Sequence, residues 1–240
     1  MTEPVNLEPS EIGHTHADVS GGWLRASVFG AMDGLVTNIS LVAGVGAAGA
    51  SARTVVLTGA AGLVAGAFSM ALGEYTSVST QNEQVDAEAH TERRELRENP
   101  AGEEAELVGM FAEMGMSRAT ATTAAKEVHA DPELAMRIHL THELGVDPEE
   151  QPSPMVAALS SFLMFALGAV FPLVPYLLGF NSLPAGLIVG GIGLVGAGVL
   201  AARFTAQPWW KSGLRQLVFG IVAAGATYLV GLLIGVGPTG

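Results

Sequence analysis

The sequence predicts an all-α membrane protein with five transmembrane helices and a cytoplasmic helical insert between the second and the third. Three observations predict it. Of 240 residues, 49% are hydrophobic and only 14% charged, with a mean hydropathy of +0.41, whereas a soluble domain is about a quarter charged. Five stretches reach the roughly 20 apolar residues that a span needs. The acidic residues are also segregated: 17 lie between Gln81 and Gln151, and none lies between Met155 and Gly240.

Residues 1–22 are polar and acidic, without the basic start and apolar run of a signal peptide, and read as a disordered cytoplasmic tail. Residues 23–80 hold the first two spans, at 24–48 and 55–78, joined by the tight hairpin "GAAGAS". Residues 81–152 form the acidic insert. No helix breaker occurs from Ser79 to Glu98, so the second span is expected to run on as one rod until "NPAG" stops it. A helix over 103–114 follows, then one opened by Ser117. A last one has Asp131 as N-cap, Pro132 at its first position and Gly145 at its end. "DPEEQPSP" is the linker back to the membrane.

Residues 153–240 hold the remaining spans, at 155–179, 183–205 and 213–236. Pro172 and Pro175 should kink or loosen the third. "GFNSLP" turns it into the fourth, and "QPWWKSG" joins the fourth to the fifth with Trp209 and Trp210 in the interfacial belt. Glycines four apart (Gly62 and Gly66, Gly186 and Gly190, Gly231 and Gly235) allow close helix approach. Arg25, Arg203, Lys211, Arg215 and the insert's arginines fall on one side and Arg53 on the other, which puts the N-terminus and insert in the cytoplasm and the C-terminus outside.

Asp33 and Glu74 are the acidic residues that fall within the spans. Burying such a group costs about 2.5–3.5 kcal/mol or more, so it marks function by default. No Lys or Arg occurs deep in any span, which leaves protons and metal cations to neutralise them. Met70 and Glu74 are four apart on one helix face, and an antiparallel neighbour can bring Asp33 against it, with Thr37 and Asn38 as further polar groups. Carboxylate with thioether suits a transition ion such as Fe²⁺ better than Ca²⁺ or Mg²⁺.

"FGAMDGLVTNISLVAGV" and "GAFSMALGEYTSVSTQ" resemble the vacuolar iron transporter family, in particular its bacterial and nodulin-21-like branch. The resemblance covers nearly all of the chain after residue 22. It implies a five-span homodimer that exports Fe²⁺, and also Mn²⁺ or other divalent ions, from the cytosol in exchange for protons. It assigns metal binding to Asp33 and Met70. The family's glutamate eight residues before that methionine is Gly62 here, and Glu74 is the candidate to replace it.

In the insert, Glu92 and Glu95, and again Glu103 and Glu106, are three apart, and a fold at "NPAG" can gather all four. Met136, His139 and Glu143 share one face of the last helix, and carboxylate, imidazole and thioether form a transition-metal set. The resemblance implies the same use of these glutamates, with His139 and Leu140 at the positions of a methionine pair. His129 and His142 read as surface residues, and His14 and His16 as a weak metal signal.

A formal charge of −12 argues against nucleic acid and favours cations, with lipid as the other partner. The lack of cysteine excludes disulfides and thiolate sites. No catalytic motif is present and no cofactor is expected; "GVGAAG" in the first span lacks the strand–helix unit of a dinucleotide fold. The chain reads as no enzyme. The expected activity is proton-coupled export of Fe²⁺, and of Mn²⁺, Co²⁺ or Zn²⁺, across a bacterial plasma membrane. The competing expectation is a membrane-anchored metal sensor or buffer without transport.

Overall fold

The computed structural model describes residues 22–145, 151–205 and 207–235. The tail, with His14 and His16, and residues 146–150 of the linker lie outside them. Among the described residues every regular element is helical: α1 (Trp23–Ala47), α2 (Ala52–Glu98), α3 (Pro100–Glu113), α4 (Arg118–His129), α5 (Pro132–Leu144), α6 (Pro154–Val170), a 3-10 turn (Phe171–Leu173), α7 (Val174–Leu177), α8 (Leu183–Ala202) and α9 (Trp209–Gly235). Five helices are long and apolar enough to cross a membrane: α1, the first half of α2, the run Pro154–Leu177, α8 and α9.

Local chemistry sets the helix ends. Ser51, Ser117, Ser153 and Ser182 each accept a backbone N–H at a helix start. Asp131 caps α5, with Pro132 behind it, and Gly145 ends that helix at φ 66°. α2 runs unbroken for 47 residues, as the missing breaker predicts. Two details differ from the sequence reading. α3 begins at Pro100, because Asn99 accepts from Gly102 N–H and Pro100 takes the first helical position. α9 begins at Trp209, so both tryptophans, exposed, open the last span instead of lying in the connection.

α1 is the hub of the membrane part and packs on α2, α6, α8 and α9. Its approach to α6 is backbone-close: a Cβ at Gly34 would collide with the Phe165 carbonyl, and one at Gly168 with the Ala31 carbonyl. The glycine pairs face other helices of the same chain, Gly190 meeting Ile39 and Gly231 meeting Gly44. They serve packing within the chain, where no hydrophobic force draws helices together in lipid. Hydrogen bonds add to this, from Asn38 Nδ2 to the Ala169 carbonyl and from Thr227 Oγ1 to the Ser40 carbonyl (2.7 Å). Pro172 and Pro175 break the third span into α6, the 3-10 turn and α7.

The far half of α2 carries the insert. α3 and α4 close over Leu107, Phe111, Ala121 and Ala125, while α5 returns onto α2 through Ala89, Met136 and Leu140. The chain leading to α6 is tied to α2 by Asn82 Nδ2 to the Pro152 carbonyl (3.0 Å) and Gln151 Nε2 to Asp86 Oδ1 (2.8 Å).

Candidate metal sites in the insert and the membrane

Three helices of the insert converge on one point. Glu92 projects from α2, Glu103 from the first turn of α3 and His139 from the middle of α5. All three are buried, His139 completely. His139 Nδ1 lies 3.3 Å from Glu92 Oε1 and 3.6 Å from Glu103 Oε2, and the three groups offer ligand atoms within 4.8 Å of one another. Ligand atoms each about 2.1 Å from one tetrahedral ion stand roughly 3.4 Å apart. The two spacings from His139 are compatible with ligation of one transition ion, and the mixed nitrogen and oxygen donors suit one better than Ca²⁺ or Mg²⁺.

Two other insert candidates, Glu95 and Glu106, stand apart from this cluster. Glu95 pairs with Arg94 (3.2 Å) and Glu106 is exposed, because residues three apart on a helix differ in direction by about 60° and only one of each pair turns to the fold. Met136 is packed among Ala89 and Leu140. The side chain of Glu143 lies outside the described residues.

His129 was expected at the surface and is instead half-buried, its Nε2 3.2 Å from His139 Nε2. Partial burial holds its pKa below the usual histidine range; the His139 ring adds to this and the Glu104 carboxylate opposes it. No periodicity links residues on different helices, so the available signal was the short "AD" turn that folds α5 back on α4.

In the membrane half the expected trio separates. Arg25 Nη2 bonds Glu74 Oε2 at 2.8 Å. This corrects the expectation that neither buried acid has a basic partner. The first turn of α1 runs antiparallel beside α2, and a long guanidinium reaches what its own sequence position does not suggest. The same register brings Leu41 against Gly62. Asp33, midway between Arg25 and Leu41, is thus level with Phe68, within about 3 Å of rise from Met70, while Glu74 lies about 9 Å further toward the insert. Met70 packs against the Ala67, Phe165 and Ala169 cluster. Asp33 is half-buried and accepts from Thr37 Oγ1 (3.3 Å). Among the described residues, the ion pairs do not include Asp33.

A Cβ at Gly62 would meet the flexible end of Leu41, which would have to shift, and would come 3.4 Å from Asn38 Oδ1. That oxygen is buried without a hydrogen-bond partner among the described residues.

The ion pair at Glu74 yields a stability prediction. Arg25→Ala strands a carboxylate whose side chain is 10% exposed, but the arginine side chain is 63% exposed, so after discounting for solvent the cost is about 1 kcal/mol. Melting of the detergent-solubilised protein should drop by about 2–4 °C. Adding Glu74→Gln should recover most of the loss; no recovery would mean that the pair is not what stabilises this end.

Residues 24–232 match the model of the VIT family. The chain belongs to the VIT family. It is 35% identical to "Vacuolar iron transporter" of Acanthamoeba castellanii, over 97% of this chain and 87% of that protein. "Vacuolar iron transporter homolog 1" of Oryza sativa subsp. japonica is 34% identical, over 95% of this chain and 80% of its own length. "Vacuolar iron transporter homolog 3" of Arabidopsis thaliana is 36% identical, over 89% and 84%. These VIT family relatives bear the names of transporters, not of enzymes, in line with the sequence reading.

Proposed function

We propose that this VIT family protein exports a divalent transition metal across a membrane in exchange for protons, serving iron homeostasis and detoxification. Fe²⁺ is the leading substrate, with Mn²⁺, Co²⁺ or Zn²⁺ as further ones. The observation that carries the reading is Asp33, an acid inside a spanning helix and outside the ion pairs of the described residues. Such a carboxylate is neutralised by a proton or by a cation, and exchanging one for the other as its exposure changes is the elementary step of antiport. Glu74, already matched by Arg25, is less suited to that exchange.

The Glu92, Glu103 and His139 cluster supports a second role, capture of metal before the membrane step. Its Glu92 lies on the same uninterrupted helix as Met70 and Glu74, about 27 Å beyond Glu74. The charge bias of the loops supports a cytoplasmic insert and an external C-terminus. Arg25, Phe204, Ser212 and Arg215 line one crevice at the proposed cytoplasmic end. The homodimer and a bacterial plasma membrane follow from the resemblance and the lipid contacts from the five apolar helices, and all belong to the same proposal.

Metal capture by the insert alone would also suit a membrane-anchored sensor or buffer. Reconstitution into liposomes separates the two. With an acidic interior and an internal metal-sensitive dye, a transporter admits Fe²⁺ or Mn²⁺ as protons leave. A sensor shows no flux above empty liposomes, and that result would sink the transport reading.

A further inference from the structure

We propose that His129 is a positioning residue for metal capture in the insert: its Nε2 accepts the Nε2–H of His139 and so directs the lone pair of His139 Nδ1 toward Glu92 and Glu103. The proposal rests on the reading of those three residues as metal ligands. Both nitrogens of His139 are committed by the fold. Nδ1 faces the two carboxylates, and Nε2 faces His129 Nε2 at 3.2 Å. A neutral imidazole has one lone pair and one N–H, so a metal on Nδ1 requires the proton on Nε2. His139 is completely buried, where an N–H without an acceptor is costly. His129 Nε2 is an acceptor within hydrogen-bond distance, which places the proton of His129 on its own Nδ1.

Local structure holds His129 in that position. It ends α4, and the next two residues turn the chain at once: Ala130 N–H bonds the Lys126 carbonyl (3.2 Å) and Asp131 N–H the Val128 carbonyl (3.1 Å). Asp131 then caps α5, which presents His139 two turns further on. The rings meet edge to face, with centroids 5.4 Å apart at 73°. A partner that fixes the tautomer and orientation of a ligating histidine typically contributes 10- to 100-fold to metal affinity.

Packing alone predicts the opposite ranking of two substitutions. His129→Leu fills the space and removes the acceptor, whereas His129→Gln keeps an oxygen near the place of Nε2. Titrating the full detergent-solubilised chain with Co²⁺, followed by its visible absorption, should show about tenfold or greater weakening in His129→Leu and a change within about threefold in His129→Gln. In the Zn²⁺-loaded unsubstituted protein, ¹⁵N shifts of His139 should show a metallated Nδ1 and a protonated Nε2. Equal affinity of His129→Leu and the unsubstituted chain, or metal on Nε2 of His139, overturns the proposal. Absence of Co²⁺ binding by the unsubstituted chain overturns the ligand assignment itself, and the role of His129 with it.

Discussion

Asp33→Asn should abolish proton-driven metal uptake into liposomes while the protein still folds and its insert still binds metal. The asparagine is nearly isosteric and can still accept from Thr37, so the local hydrogen bond seen at 3.3 Å is preserved. What it loses is the ability to carry a negative charge or give up a proton. In a spanning helix, an uncompensated unit of charge costs about 2.5–3.5 kcal/mol, which corresponds to roughly a 100-fold change in rate if it falls on the rate-limiting crossing. Initial rates of dye quenching by Fe²⁺ or Mn²⁺ under a pH gradient measure this directly. Asp33→Glu, which restores the charge one methylene further out, should retain part of the flux. A full rate in Asp33→Asn would show that the coupling group lies elsewhere, and Glu74 would be the next to test.

The second large effect is expected in the insert, where the structure separates residues that spacing treats alike. Glu103 is buried beside His139, while Glu106, three residues on, is exposed. Glu103→Gln removes a ligand atom from the cluster and should weaken Co²⁺ or Mn²⁺ binding by about 100-fold, at least the upper end of what an outer partner contributes. Glu106→Gln changes only a solvated charge and should shift affinity by less than about threefold. Isothermal titration of the full chain in detergent distinguishes them. Equal losses would mean that metal binding draws in the outer glutamates as well. A second readout follows from linkage: metal at 100 times its dissociation constant adds about 2.7 kcal/mol of stability, and at the same metal concentration this gain should fall to about 0.4 kcal/mol in Glu103→Gln.

How far these residues could be read in advance depended on the range of the interaction. The caps at Ser51, Ser117, Asp131 and Ser153 are bonds to backbone groups two or three residues away, so the sequence around them is enough. Glu92 and Glu103 were legible as members of two pairs, but the spacing pointed equally to Glu95 and Glu106. The choice between them is made by the rotation of α2 and α3 about their axes when α5 docks. His139 was visible through its face on α5, whereas His129 was not, because its partner lies on another helix.

Five spans, the rod that carries α2 out of the membrane and a lone acid in the first span were set by the chain itself, since apolar length, helix breakers and charge are local properties. Tertiary structure alone decided that Glu74 belongs to Arg25 and that His139 has carboxylates on one nitrogen and a second imidazole on the other. These pairings depend on the register between helices. Register comes from close backbone packing such as that of Gly34 against Phe165, which joins segments 131 residues apart and leaves no local trace.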